Sequence, residues 1–282
     1  MSTAFVLSGG GNLGAVQVGM LRALFRAGIK PDLIVGTSVG AINGGWLAGH
    51  GPNADLDDLA RVWTSMRRGD VFPTQLFGGL LGFIGRSDHL VPASGLRKIL
   101  HRELGLDRLE NALIPLHVVA TDLLPGIDVL LSRGPAIDAI CASSAIPGVF
   151  PSVVIDDRTL VDGGVVNNCP ISHAVHLGAS EVWVLPCGYA CALDKPPKGA
   201  LGAALQAVSL LIQQRLRIDA EHYATSCNLH IAPVLCPVRI PPTDFGKAAQ
   251  LIAESDALTT AWLVNPAAAK VDPLGPHAHQ TG

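Results

Sequence analysis

Leu33-Ile34-Val35-Gly36-Thr37-Ser38-Val39-Gly40-Ala41-Ile42-Asn43-Gly44 joins a short apolar run of strand composition to Gly-x-Ser-x-Gly and then to a small-residue segment that continues as a helix. This is the pattern of a nucleophile elbow. The turn from strand to helix is so tight that Gly36 and Gly40 are needed to avoid clashes around the serine. Ser38 then stands at the tip, with its oxygen over the positive end of the following helix. Gly-x-Ser-x-Gly alone arises readily in a chain with 31 glycines. It is the flanking strand and helix that set it apart from a plain serine N-cap.

Upstream, Ala4-Phe5-Val6-Leu7-Ser8 reads as a strand feeding Gly9-Gly10-Gly11-Asn12-Leu13-Gly14. Val18, Leu21, Leu24 and Phe25 then recur at helical spacing up to Gly28. Strand, glycine-rich turn and helix N-terminus form a nest of backbone N–H groups suited to an anion. Two anions compete for it. Gly9, Gly11 and Gly14 satisfy Gly-x-Gly-x-x-Gly, the dinucleotide fingerprint, which also needs an acidic residue at the end of the next strand. Asp32 stands before that strand, at the wrong end of a sheet. The other anion is the oxyanion of an acyl-transfer intermediate, which places the nest beside the elbow at the carboxyl ends of adjacent parallel strands.

Further along, Val161-Asp162-Gly163-Gly164-Val165-Val166-Asn167-Asn168-Cys169-Pro170 follows Ala142-Ser143-Ser144-Ala145-Ile146-Pro147-Gly148-Val149-Phe150-Pro151. Gly-Gly-Gly-x-x-Gly, Gly-x-Ser-x-Gly and Asp-Gly-Gly, in this order and context, resemble the patatin-like phospholipase family over residues 4–187. The resemblance implies an α/β fold with three α/β/α layers, a mainly parallel central sheet and helices on both faces. It also implies a Ser38–Asp162 dyad in which the carboxylate acts directly on the serine. Gly9, Gly10, Gly11 and Val39 are the expected oxyanion hole. Gly14, Gly36, Gly40, Gly163 and Gly164 are expected to support the three motifs. A carboxylate is a weak base, so Asp162 needs a desolvated site to raise its proton affinity.

The activity so implied is hydrolysis of lipid or other carboxylic esters, with no metal or organic cofactor. An acyltransferase using the same acyl-enzyme, and a non-catalytic lipid-binding or interaction module, are the alternatives. Family members usually carry Arg or Lys where this chain has Leu13. Its loss spares the backbone donors but weakens any inference to anionic substrates. A Ser-His-Asp triad would draw on His117, His173 or His176, none of which lies in a recognisable triad motif.

The rest of the chain is consistent with one domain. Helices are expected at residues 55–67, 94–104, 201–216 and 245–264, and strands at 116–123, 129–132, 181–185 and 229–232. Residues 188–264 read as a helical extension completing the same domain as the 4–187 core, and 265–282 as a frayed tail. Residues 71–85 carry no charge. They read as a buried connection over the core, or as an apolar lip that admits acyl chains or touches a membrane surface.

Hydrophobic residues make up 49% and charged residues 15% of the 282, with mean hydropathy +0.38. This composition supplies a large core and hints at an apolar contact surface. A net charge of -3 and a pI near 6.3 offer no footprint for nucleic acid. The N-terminus lacks the basic flank of a signal peptide, and no apolar run reaches membrane-spanning length. The expectation is a cytoplasmic protein, at most peripheral at membranes. The six cysteines show no zinc spacing and read as reduced thiols.

Overall fold

The computed structural model describes residues 2–72, 89–188, 199–236, 240 and 244–265. Residues 73–85 of the uncharged stretch and 266–282 of the expected tail lie outside them. Strands β1 (Thr3–Leu7), β2 (Leu33–Thr37), β3 (Leu116–Asp122), β4 (Ile127–Leu131), β5 (Val153–Ile155), β6 (Arg158–Asp162), β7 (Glu181–Leu185) and β8 (Asn228–Ile231) form one sheet. The order β8-β7-β1-β2-β3 is parallel throughout. β4 and the β5–β6 hairpin add to β3 antiparallel.

Helices are α1 (Gly14–Arg26), α2 (Val39–His50), α3 (Leu56–Ser65), α4 (Arg68–Val71), α5 (Ser94–Glu103), α6 (Ala136–Ser143), α7 (Ile171–His176), α8 (Gly199–Tyr223) and α9 (Ala248–Val264). Strand residues alternate between two cores, the period-2 signature of a sheet covered on both faces. Phe5, Leu7, Ile34, Leu116, Val118 and Leu185 pack with residues of α1, α2, α3, α5, α6 and α9. Ala4, Val6, Val35, Val119, Val182 and Val184 pack under α7 and α8. This is a three-layer α/β/α architecture. α9 lies along α1, where Ser255 Oγ donates to the Val16 carbonyl (2.8 Å) and Asp256 pairs with Arg26. None of the described helices is long and apolar enough to cross a membrane.

The antiparallel additions go beyond the sequence expectation, and they decide where the site falls. β5 and β6 turn through Asp156 and Asp157, both at positive φ (49° and 59°), a two-residue hairpin connection matched to strand twist. β3 carries β4 on one edge at Val118, Val119 and Ala120. Its other edge is shared: β2 occupies it up to Thr37 opposite Val119, and β6 occupies it from Asp162 opposite Ala120. β2 runs parallel to β3 and β6 runs against it. The two strands therefore end head to head, and the residues at their tips, Ser38 and Asp162, meet.

Candidate active site

Ser38 links β2 to α2 at φ 55°, ψ -123°. Such a conformation costs a non-glycine residue on the order of 1–3 kcal/mol and persists only where its surroundings over-determine it. Here they do. The Ser38 amide donates to Ser143 Oγ (2.7 Å), which itself donates to the Val119 carbonyl (2.5 Å). The Ser38 carbonyl accepts from Ala41 (2.9 Å) and Ile42 (3.2 Å) in the first turn of α2. Gly40 lets that turn press onto β1. A Cβ there would overlap the Leu7 carbonyl and lie 2.7 Å from the Ser8 carbonyl oxygen.

Ser38 Oγ donates to Asp162 Oδ2 at 2.7 Å. Asp162 Oδ1 accepts from the Gly164 amide (2.7 Å). The backbone of Asp162 is tied down by its N–H to the Ala145 carbonyl (2.9 Å) and by Thr121 Oγ1 to its own carbonyl (3.0 Å). Both side chains are buried, Ser38 at 7% and Asp162 at 5% exposure. Desolvation pushes the Asp162 carboxyl up to about 6, against the lowering effect of the Ser38 hydroxyl and the Gly164 amide.

The glycine-rich turn lies alongside. A Cβ on Gly9 would sit 3.2 Å from Ser38 Cβ. The Gly9 amide donates to the Asn168 carbonyl (3.1 Å). Gly10 and Gly11 show no hydrogen bond from their amides among the described residues, and Gly11 opens the 3-10 turn that leads to Gly14 and α1. The Val39 amide, at the first position of α2, has no intrahelical partner. Gly36 lies on β2 two residues before Ser38, and Gly163 and Gly164 continue from Asp162 in a 3-10 turn. Leu13 packs against the main core, next to Gly188.

A buried polar chain holds this turn from behind. Gln17 Nε2 donates to the Ser8 and Leu185 carbonyls (2.9 Å each). Gln17 Oε1 accepts from Asn43 (2.9 Å), whose Oδ1 accepts from Trp63 Nε1 (2.8 Å). Replacing Gln17 with Met keeps the volume and removes three buried hydrogen bonds, leaving the Leu185 carbonyl with the Ser8 amide and the Ser8 carbonyl with the weak Cys187 thiol donor. We expect a loss of about 2–3 kcal/mol in urea unfolding.

The sequence reading assigned no role to Gln17, Asn43, Ser143 or Asn168. For Gln17 and Asn43 a signal exists: each is a polar residue inside an apolar helical stretch, and both are fully buried. The three histidines weighed as bases are engaged elsewhere. His117 Nδ1 pairs with Ser132 Oγ (2.7 Å), His173 Nε2 with Asp128 Oδ2 (2.8 Å), and His176 lies edge-on to Tyr223. Asp32 accepts from the Thr3 amide (2.8 Å) at the start of β1, the end of the sheet opposite the glycine turn. A ribose-binding carboxylate would have to lie at the other end.

Fold and site together define an α/β protein with a buried serine–aspartate pair at a nucleophile elbow. The family model of the patatin-like phospholipases matches residues 5–175, more than half of the chain, and the chain belongs to that family. It is 28% identical over 189 residues to neuropathy target esterase sws of Drosophila melanogaster, covering 66% of this chain and 13% of that protein. It is 34% identical over 173 residues to an uncharacterized NTE family protein of Mycobacterium tuberculosis, covering 60% of this chain and 44% of that protein. The chain thus spans less than half the length of these curated relatives. In fold it resembles VipD from Legionella pneumophila, with a TM-score of 0.57 at 16% identity, covering 93% of this chain and 67% of that one.

Proposed function

We propose that this chain is a serine acyl hydrolase that cleaves carboxylic esters of lipids through a Ser38–Asp162 dyad. The observation that carries the reading is the 2.7 Å hydrogen bond from Ser38 Oγ to a carboxylate whose proton affinity is raised by burial. Ser38 Oγ attacks the ester carbonyl and its proton passes to Asp162 Oδ2. The oxyanion is received by the amides of Gly10, Gly11 and Val39. Gly9 leaves the expected donor set, because its amide is already bonded to Asn168. Asp162 then protonates the departing alcohol. Water attacks the acyl-enzyme, gives its proton to Asp162, and the proton returns to Ser38 as the fatty acid leaves. Family membership and similarity to a protein named an esterase support the reaction class.

The test is labelling by a fluorophosphonate together with turnover of a short and a long p-nitrophenyl ester by the wild type and Ser38→Ala. The reading requires that the wild type does both and the variant neither. A folded wild type that does neither, with or without lipid vesicles, leaves a binding module. An added alcohol that captures the acyl group as a new ester would reassign the chain as an acyltransferase.

The pH profile follows from Asp162. The base works only when ionised, so kcat/KM is expected to climb about tenfold per pH unit below about 6 and to level off above it. A plateau already complete at pH 4.5 would exclude Asp162 as the group that takes the proton.

A further inference from the structure

A second polar cluster lies directly behind the reacting pair, centred on Asn167, which is fully buried. Its backbone holds both arms of the site. The Asn167 amide donates to the Gly163 carbonyl (2.8 Å), next to Asp162, and the Asn167 carbonyl accepts from Thr37 Oγ1 (3.0 Å), next to Ser38. Its side chain is held in turn: Nδ2 donates to Asp128 Oδ2 (2.8 Å) and to Ser172 Oγ (3.1 Å). Asn167 Oδ1 is buried and has no partner among the described residues, so the amide is gripped through its nitrogen alone. His173 Nε2 meets the same Asp128 oxygen at 2.8 Å. Asp128 comes from β4, His173 and Ser172 from α7, and Thr37 from β2.

We infer that Asn167, anchored by Asp128 and His173, is a positioning residue that sets the separation between Ser38 and Asp162. This deepens the hydrolase reading and rests on it. The logic is geometric. β2 and β6 meet only tip to tip, so no ladder hydrogen bond joins them to each other. Asn167 ties the residue before Ser38 to the residue after Asp162. A carboxylate is the strongest acceptor available for an amide N–H, and a histidine on the same oxygen keeps that carboxylate in place. Burial alone would push the Asp128 carboxyl up, yet Asn167 and His173 hold it below its ordinary value. Without the anchor the Asn167 side chain has only the Ser172 hydroxyl, and the clamp across the two strand tips loosens.

The experiment compares wild type, Asp128→Ala and Asp128→Asn, the last keeping an acceptor oxygen. Asp128→Ala is expected to lower kcat on a short p-nitrophenyl ester and the rate of fluorophosphonate labelling by about 10–100-fold, with KM unchanged. Asp128→Asn should restore most of the loss. A merely structural anchor would lower the thermal midpoint and leave kcat per folded molecule at the wild-type value, which would overturn the inference. Crystal structures of the same proteins decide the geometry without reference to activity. The Ser38 Oγ to Asp162 Oδ2 distance should exceed about 3.5 Å in Asp128→Ala. An unchanged distance overturns the inference even if the wild type proves inert, whereas an inert wild type by itself overturns only the hydrolase reading. Should Asp128→Ala not accumulate, His173→Ala is read by the same two measurements.

Discussion

Asp162→Asn is expected to lower kcat/KM on the order of 10³–10⁴-fold and, at neutral pH, to make the protein more stable. The loss follows from removing the carboxylate that accepts from Ser38 Oγ among the described residues and that, in the proposed mechanism, takes up its proton. The gain follows from the carboxyl's raised folded-state value of about 6 against an ordinary 3.8. A carboxyl raised in this way contributes its full stability below the unfolded value and loses it as the pH climbs through the folded one. Above about pH 6 the native state therefore carries an ionised, desolvated carboxylate at a cost of about 3 kcal/mol. Asparagine is neutral at every pH; its oxygen can accept from the Gly164 amide while its NH2 donates to Ser38 Oγ, which turns from donor to acceptor. Its thermal midpoint should exceed that of the wild type by roughly 5–10 °C at pH 8, and the two should converge below about pH 4. Scanning calorimetry across that range checks the sign. A variant no more stable at pH 8 than at pH 4, relative to wild type, would mean that the buried carboxylate is not strained by its charge.

The second large effect is on folding. Gly40→Ala puts a methyl group into the Leu7 carbonyl, at the end of β1, and close to that of Ser8, the residue that follows the strand. Neither can rotate away, so α2 must lift off β1, which places the cost at the upper end of overpacking, about 3 kcal/mol. We expect a midpoint lowered by roughly 6–12 °C, or no soluble protein at 37 °C. Gly11→Ala is the matched control. It sits at φ 59° with open space around the new methyl, and its cost should be about 1 kcal/mol of backbone strain. Equal losses from the two substitutions would show that packing at the elbow is not what constrains Gly40.

Legibility followed chemistry that is local in sequence. The family, the α/β layers and the parallel strands were readable because Gly36, Ser38 and Gly40, like Gly9 to Gly14, must be neighbours to make their turns. The apolar runs around Phe5, Ile34 and Val184 carry the strand signal by themselves. Helix ends were offset for a physical reason. The helix expected to stop at residue 216 continues to Tyr223, since Arg215–Asp219 and Arg217–Glu221 pairs extend it past its apolar stripe. The β5–β6 hairpin was not foreseen, because Asp156-Asp157 is a weak turn signal and Val153 to Ile155 is very short. The network through Gln17, Asn43 and Trp63 and the clamp through Asn167 join residues distant in the chain. No spacing rule predicts such partners. Ser143 stood within a quoted motif, yet its hold on the Ser38 amide depends on α6 ending against β3.

The head-to-head meeting of β2 and β6 also sets a timetable for the protein's birth. Ser38 and Asp162 are separated by 124 positions, so at about 5–20 residues per second a ribosome finishes the serine roughly 6–25 s before the aspartate. During that interval the elbow has no acceptor for its proton, and β3 has nothing on the distal part of the edge that β6 will fill. A nascent chain therefore carries the serine without its carboxylate partner until the β5–β6 hairpin is made, and it makes that pair while β7, β8 and helices α7 to α9 are still to come.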